Sequence, residues 1–197
     1  MQKIAIIITQ LIILLVVRLV YFRRVRVQTP NVQSLSGPIV IASNHTKKFD
    51  PFIITCFLPL KTILKVFPFS FMTANVYYYK WWRPLAFLAG CYPAKSRSND
   101  DSQYNYGVGR SVKLLNSGYS IVIFPEGKRT GKRIEARSGI SRILQQSNTN
   151  LLLCSINWRS LRGEKRQHIQ LSLKVAKDNL DRSDPNAIMA AIYDFPR

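Results

Sequence analysis

Residues 37–57 read GPIVIASNHTKKFDPFIITCF, and the order of residue types in this stretch decides the fold. Gly37-Pro38 is a turn. IVIAS (39–43) is a short, largely β-branched apolar run of the kind that forms a strand buried on both faces. Asn44-His45 opens a polar loop, and Asp50-Pro51 is a helix start, with an acid at the cap and proline at the first helical position. FIITCFL (52–58) continues as a helix. A buried strand feeding a helix through a polar loop is the building unit of an α/β sheet.

Working outward, the alternation repeats. YSIVIF (119–124) is the clearest strand, LLLCSIN (151–157) a second buried one, and QHIQLSLKV (167–175) alternates like a half-buried one. KTILKVF (61–67) reads as a strand and CYPA (91–94) as a short one. Residues 102–117, ending at Gly118, and 137–146 read as helices, and SDPNAIMAAIYDF (183–195) is a closing helix with its own Asp-Pro start. The fold class is therefore α/β, a mixed sheet flanked by helices.

In front of this lies IAIIITQLIILLVVRLVYF (4–22), interrupted by Thr9, Gln10 and Arg18. Arg23, Arg24 and Arg26 follow it, against a single Lys3 before it. The bias puts the remainder on the cytoplasmic face of a membrane, a bacterial inner membrane on the reading developed below. The expected organisation is a membrane-associated helix over 1–27, spanning or interfacial, then an α/β domain over 28–197. The run YYYKWWR (77–83) has the composition of an interfacial belt as well as of an ordinary core rim.

Hydrophobic residues make up 47% of the 197, which excludes a disordered chain. The net charge of +19 calls for anionic partners, membrane lipids first. The cations are spread out, with no basic helix, zinc pattern or RNA-binding aromatic motif, so no nucleic acid is expected. Cys56, Cys91 and Cys154 are far apart in apolar settings and read as free buried thiols. With only two histidines, no metal site is expected.

The chemistry gathers in two segments about eighty residues apart, NHTKKFD (44–50) and FPEGKRT (124–130). Imidazole is the usual side chain for taking a proton near neutral pH, and a carboxylate on its far nitrogen fixes the tautomer. His45 and Asp50 supply that pair if the loop turns between them. Glu126 sits between proline and glycine directly beyond a strand, at the edge where α/β sheets collect ligands. Gly127 allows close approach, and Lys128 and Arg129 are phosphate-pairing cations.

Together, N-H-x4-D followed by F-P-E-G-x-R-[ST] resembles the glycerolipid acyltransferases, the family of the 1-acyl-sn-glycerol-3-phosphate (lysophosphatidic acid) acyltransferases, over roughly residues 37–157. The resemblance implies a general-base role for His45, oriented by Asp50. It implies transfer of a fatty acyl chain from acyl-CoA or acyl carrier protein, as co-substrate and with no cofactor, to the free hydroxyl of lysophosphatidic acid. Phosphatidic acid would be the product. The family's phosphate-binding blocks map onto Lys95 and Arg97, and onto Glu126, Gly127, Lys128 and Arg129. Three positions depart from the family pattern: Lys95-Ser96-Arg97 replaces an acid-arginine pair, Lys128 stands where threonine is common, and Leu153-Cys154-Ser155-Ile156 lacks a proline. Glycerol-3-phosphate, another lysolipid or an amino-lipid therefore stand as alternative acceptors, and a basic membrane- or nucleic-acid-binding protein without catalysis as a remote alternative.

Overall fold

The structure, a computed structural model, describes residues 2–29, 32–95, 103–129, 133–160 and 167–195. Helix α1 (Gln2–Tyr21) leads into β1 (Val25–Gln28) and β2 (Ile39–Ser43). Then come α2 (Asp50–Cys56), α3 (Leu60–Val66), β3 (Phe69–Thr73), α4 (Asn75–Tyr78), α5 (Arg83–Leu88) and β4 (Cys91–Pro93). The chain closes with α6 (Gln103–Asn116), β5 (Ser120–Ile123), α7 (Gly139–Ser147), β6 (Asn150–Ser160), β7 (Gln167–Val175) and α8 (Pro185–Tyr193).

The strands form one sheet in the order β1-β7-β6-β2-β5-β3-β4. Its five strands from β6 to β4 are parallel, β7 runs antiparallel to β6, and β1 pairs parallel with β7. The sheet is mixed, as the residue patterns imply. β2 and β5 are buried along their whole length because helices cover both faces. Ile39 and Ile41 join Ile53 and Ile54 of α2, with α1 packed over them. Val40 and Ala42 point the other way, to Ile140 and Ile143 of α7 and Ile188 of α8.

The strand read over 61–67 is a helix. Thr62, Ile63 and Val66 are its buried residues, a spacing that places them on one helical face, while a strand would have buried every second residue. Pro59 precedes it and Pro68 follows, so the strand begins only at Phe69. The edge strand β1 and the inner strand β3 were not foreseen. Asp50 is the first residue of α2 rather than its cap, and its carboxylate turns back into the loop.

That loop sits at a switch point. β2 feeds α2 on one face of the sheet, while its neighbour β5 feeds α7 on the other. Adjacent strands that diverge in this way leave a crevice beyond their carboxyl ends.

Candidate active site

His45 lies at the end of β2, stacked on Phe124 at the end of β5, with ring centroids 4.0 Å apart and planes 18° apart. Its Nδ1 is 3.0 Å from Asp50 Oδ2. Asp50 is fully buried, and its Oδ2 also accepts the backbone N–H groups of Thr46 and Lys47, both at 2.6 Å. The turn from His45 to Asp50 is therefore closed by the carboxylate itself, which keeps a buried anion hydrogen-bonded. The loop is also pinned sideways. Asn44 Nδ2 donates to the Ile156 carbonyl at 2.9 Å and Asn44 Oδ1 accepts the Ile156 N–H at 2.8 Å, bridging to β6.

Glu126 is buried beneath this loop, not out among the cations. Its Oε2 accepts the His45 N–H at 3.3 Å and its Oε1 accepts the Tyr193 hydroxyl from the end of α8. Burial pushes its carboxyl above the ordinary glutamate value, and the Tyr193 and His45 hydrogen bonds hold it down in part. Gly127 takes φ +63°, a conformation that favours glycine, and a Cβ there would lie 2.5 Å from Arg137 Nε and displace that side chain.

Among the cations, Arg129 donates to the Tyr77 hydroxyl at 2.6 Å and lies over its ring, 5.0 Å from the centroid. Lys48 Nζ stands 6.0 Å from the same centroid. Lys95 is joined through its backbone to the Asn75 side chain by two 3.0 Å hydrogen bonds. The short helix α4 thus holds two cations, Lys48 and Arg129, at Tyr77 and the backbone of Lys95 at Asn75. Lys128 is exposed, and Arg97 lies outside the described residues.

In the sequence Asn44 reads only as part of the motif and Tyr77 only as part of an aromatic belt, while Trp158 and Tyr193 escape sequence reasoning. Trp158 carried a usable signal, since it continues the even-numbered buried row Leu152, Cys154, Ile156 along one strand face. Tyr193 carried none, because its contact depends on where α8 docks. Burial pushes the thiols of Cys56 and Cys154 up to about 12. Neither is a thiolate at neutral pH.

A histidine oriented by a carboxylate beside a cluster of cations is equipped to deprotonate a hydroxyl on an anionic molecule. The sequence matches the acyltransferase family over residues 24–157, and the chain belongs to that family. Its fold is similar to the crystal structure of the 1-acyl-sn-glycerophosphate (LPA) acyltransferase PlsC from Thermotoga maritima. The TM-score is 0.59 at 14% sequence identity, covering 98% of this chain and 93% of that one.

Proposed function

We propose that this protein is a membrane-associated O-acyltransferase, working at the cytoplasmic face, that moves a fatty acyl group from an acyl thioester to the free hydroxyl of 1-acyl-sn-glycerol-3-phosphate. The observation that carries this reading is the 3.0 Å contact from His45 Nδ1 to Asp50 at the sheet's switch point, in a chain of the acyltransferase family. With its Nδ1–H donated as a hydrogen bond to Asp50, His45 presents the lone pair of Nε2, which has no partner among the described residues. The acceptor hydroxyl yields its proton to Nε2 as its oxygen attacks the thioester carbonyl. The C–S bond of the tetrahedral intermediate then breaks, an ester remains, and the leaving thiolate takes the proton from the imidazolium. No acyl-enzyme is required. Arg129, Lys48 and Lys95 are the cations offered to the acceptor phosphate, and the donor is acyl-CoA or an acidic acyl carrier protein.

The test is acyl transfer from both donors to lysophosphatidic acid, glycerol-3-phosphate and other lysolipids in liposomes, read by mass spectrometry. Phosphatidic acid as the dominant product supports the reading. Product from another acceptor alone reassigns the acceptor, and no product from any overturns the acyltransferase assignment.

The arrangement of cations makes a separate prediction. Tyr77→Phe keeps the ring beneath Arg129 and loses the hydroxyl that anchors it. A hydrogen bond to a charged group contributes about 1.5–3 kcal/mol. The acceptor KM is expected to rise about 10-fold with kcat nearly unchanged. A fall in kcat at constant KM would place Tyr77 in the chemical step instead.

A further inference from the structure

We infer that Trp158, one residue beyond the segment matched to the family, is a positioning residue for the His45–Asp50 pair. This rests on the acyl-transfer reading for its kinetic test and on geometry alone for the other. Cys154 is the last residue of β6 paired with β2, so residues 155–160 run on past the end of β2, paired only with β7. At ~3.3 Å per residue, Trp158 reaches ~13 Å beyond that last pair, alongside the loop that carries His45.

There its indole Nε1–H donates to Asp50 Oδ1 at 2.9 Å. Among the described residues Oδ1 has one other partner, a 3.4 Å contact from the Thr46 hydroxyl, whereas Oδ2 serves His45, Thr46 and Lys47. The indole therefore sets the rotation of the carboxylate about its terminal torsion jointly with the Thr46 and Lys47 N–H groups on Oδ2. That rotation decides whether Oδ2 stays in line with His45 Nδ1. Sheet and loop are stitched at two points two residues apart on the same strand, Asn44 to Ile156 and Asp50 to Trp158.

The indole is itself clamped. Tyr21, the last residue of α1, meets it edge-on with centroids 6.4 Å apart, and Lys47 Nζ lies 4.3 Å from its centroid while also donating to Gln167 of β7. The end of the apolar helix is thereby in contact with the group that orients the candidate base.

The test is a double-mutant cycle with a non-natural isostere. Trp158→Phe, and replacement of Trp158 by 3-benzothienylalanine, which keeps the bicyclic ring and exchanges N–H for sulfur, are each expected to lower kcat about 10-fold with both KM values unchanged. In an Asp50→Asn background, Trp158→Phe is expected to add no further loss, because the two residues act as one unit. An isostere with native kcat, or losses that multiply in the double variant, would overturn the inference.

A second readout is independent of turnover. By 15N-histidine NMR, Nδ1 of His45 is expected to be the protonated nitrogen in the native protein, and the isostere to populate the Nε2–H tautomer. An unchanged tautomer population overturns the inference even if the native protein transfers nothing. Absence of transfer by the native protein bears on the acyl-transfer reading alone.

Discussion

His45→Ala is expected to lower kcat/KM for acyl transfer by about 10³-fold while leaving the protein folded, since a positioned general base commonly contributes 10²–10⁴-fold. The fold survives because the two contacts of the imidazole, its stack on Phe124 and its hydrogen bond to Asp50, are not what holds the loop. The loop is held by the His45 backbone N–H on Glu126 and by Asn44 on Ile156, and both bonds persist in alanine. Asp50 also keeps its Thr46, Lys47 and Trp158 donors, so its buried charge is not orphaned. The residual rate comes from holding donor and acceptor together, which the substitution does not touch. The measurement is kcat/KM on liposomal lysophosphatidic acid, with near-ultraviolet circular dichroism as the check on folding. A folded His45→Ala protein within about 3-fold of native would remove His45 from the chemistry, because that is far below the contribution of a general base.

What was legible in the sequence and what was not divides along a physical line. Buried strands announce themselves because burial on both faces leaves few residue types to choose from, and IVIAS, YSIVIF and LLLCSIN are strands in the structure. The 61–67 segment misled because its β-branched residues fit either element. Proline at 59 and the Thr62, Ile63, Val66 spacing outweighed β propensity. Within the site, His45 and Asp50 are five residues apart, and a closed turn between them can be anticipated. Glu126, by contrast, was read as a phosphate partner, and the structure buries it under His45. Its environment is set by α8, whose Tyr193 is 67 residues away. Tyr77 joins Arg129 across 52 residues, and Trp158 joins Asp50 across 108. Such pairings follow from strand order and helix docking, which one sequence does not print.

Ile12→Asp combined with Leu15→Asp is expected to release the protein from vesicles that retain the native chain through a wash at ~1 M salt, where surface charge attraction is screened. Helix α1 is long and apolar enough to cross a membrane, with mean hydropathy 2.6 over residues 3–21. Two of its polar interruptions, Gln10 and Arg18, face the domain. Gln10 donates to the carbonyls of Phe69 at 2.6 Å and Ala89 at 3.1 Å, and Arg18 donates to those of Cys56 at 2.5 Å and Leu58 at 2.7 Å. Contacts run along the helix from Lys3, whose Nζ lies 5.3 Å from the Tyr119 ring centroid, to Tyr21 on Trp158. A helix fastened to its domain along its length is expected to lie at the interface, since crossing would draw polar surface into hydrocarbon. It can bury one side in one leaflet. Ile4, Ile8, Leu11, Ile12, Leu15 and Leu19 form that side, all at least half exposed, at the spacing of a single helical face. Beside it α5, packed against α1, offers Leu85, and Trp81 just before α5 is 84% exposed. Each buried Ile or Leu side chain contributes at least ~1.5 kcal/mol. Losing two costs ~3 kcal/mol, about 100-fold in partition, before any cost of inserting charge. Because both substituted residues face away from the core, the thermal midpoint should stay near that of the native protein. Retention of the double variant on vesicles would show that this face is not the anchor. A tag at residue 1 labelled only from the side opposite to the α/β domain would show that α1 crosses.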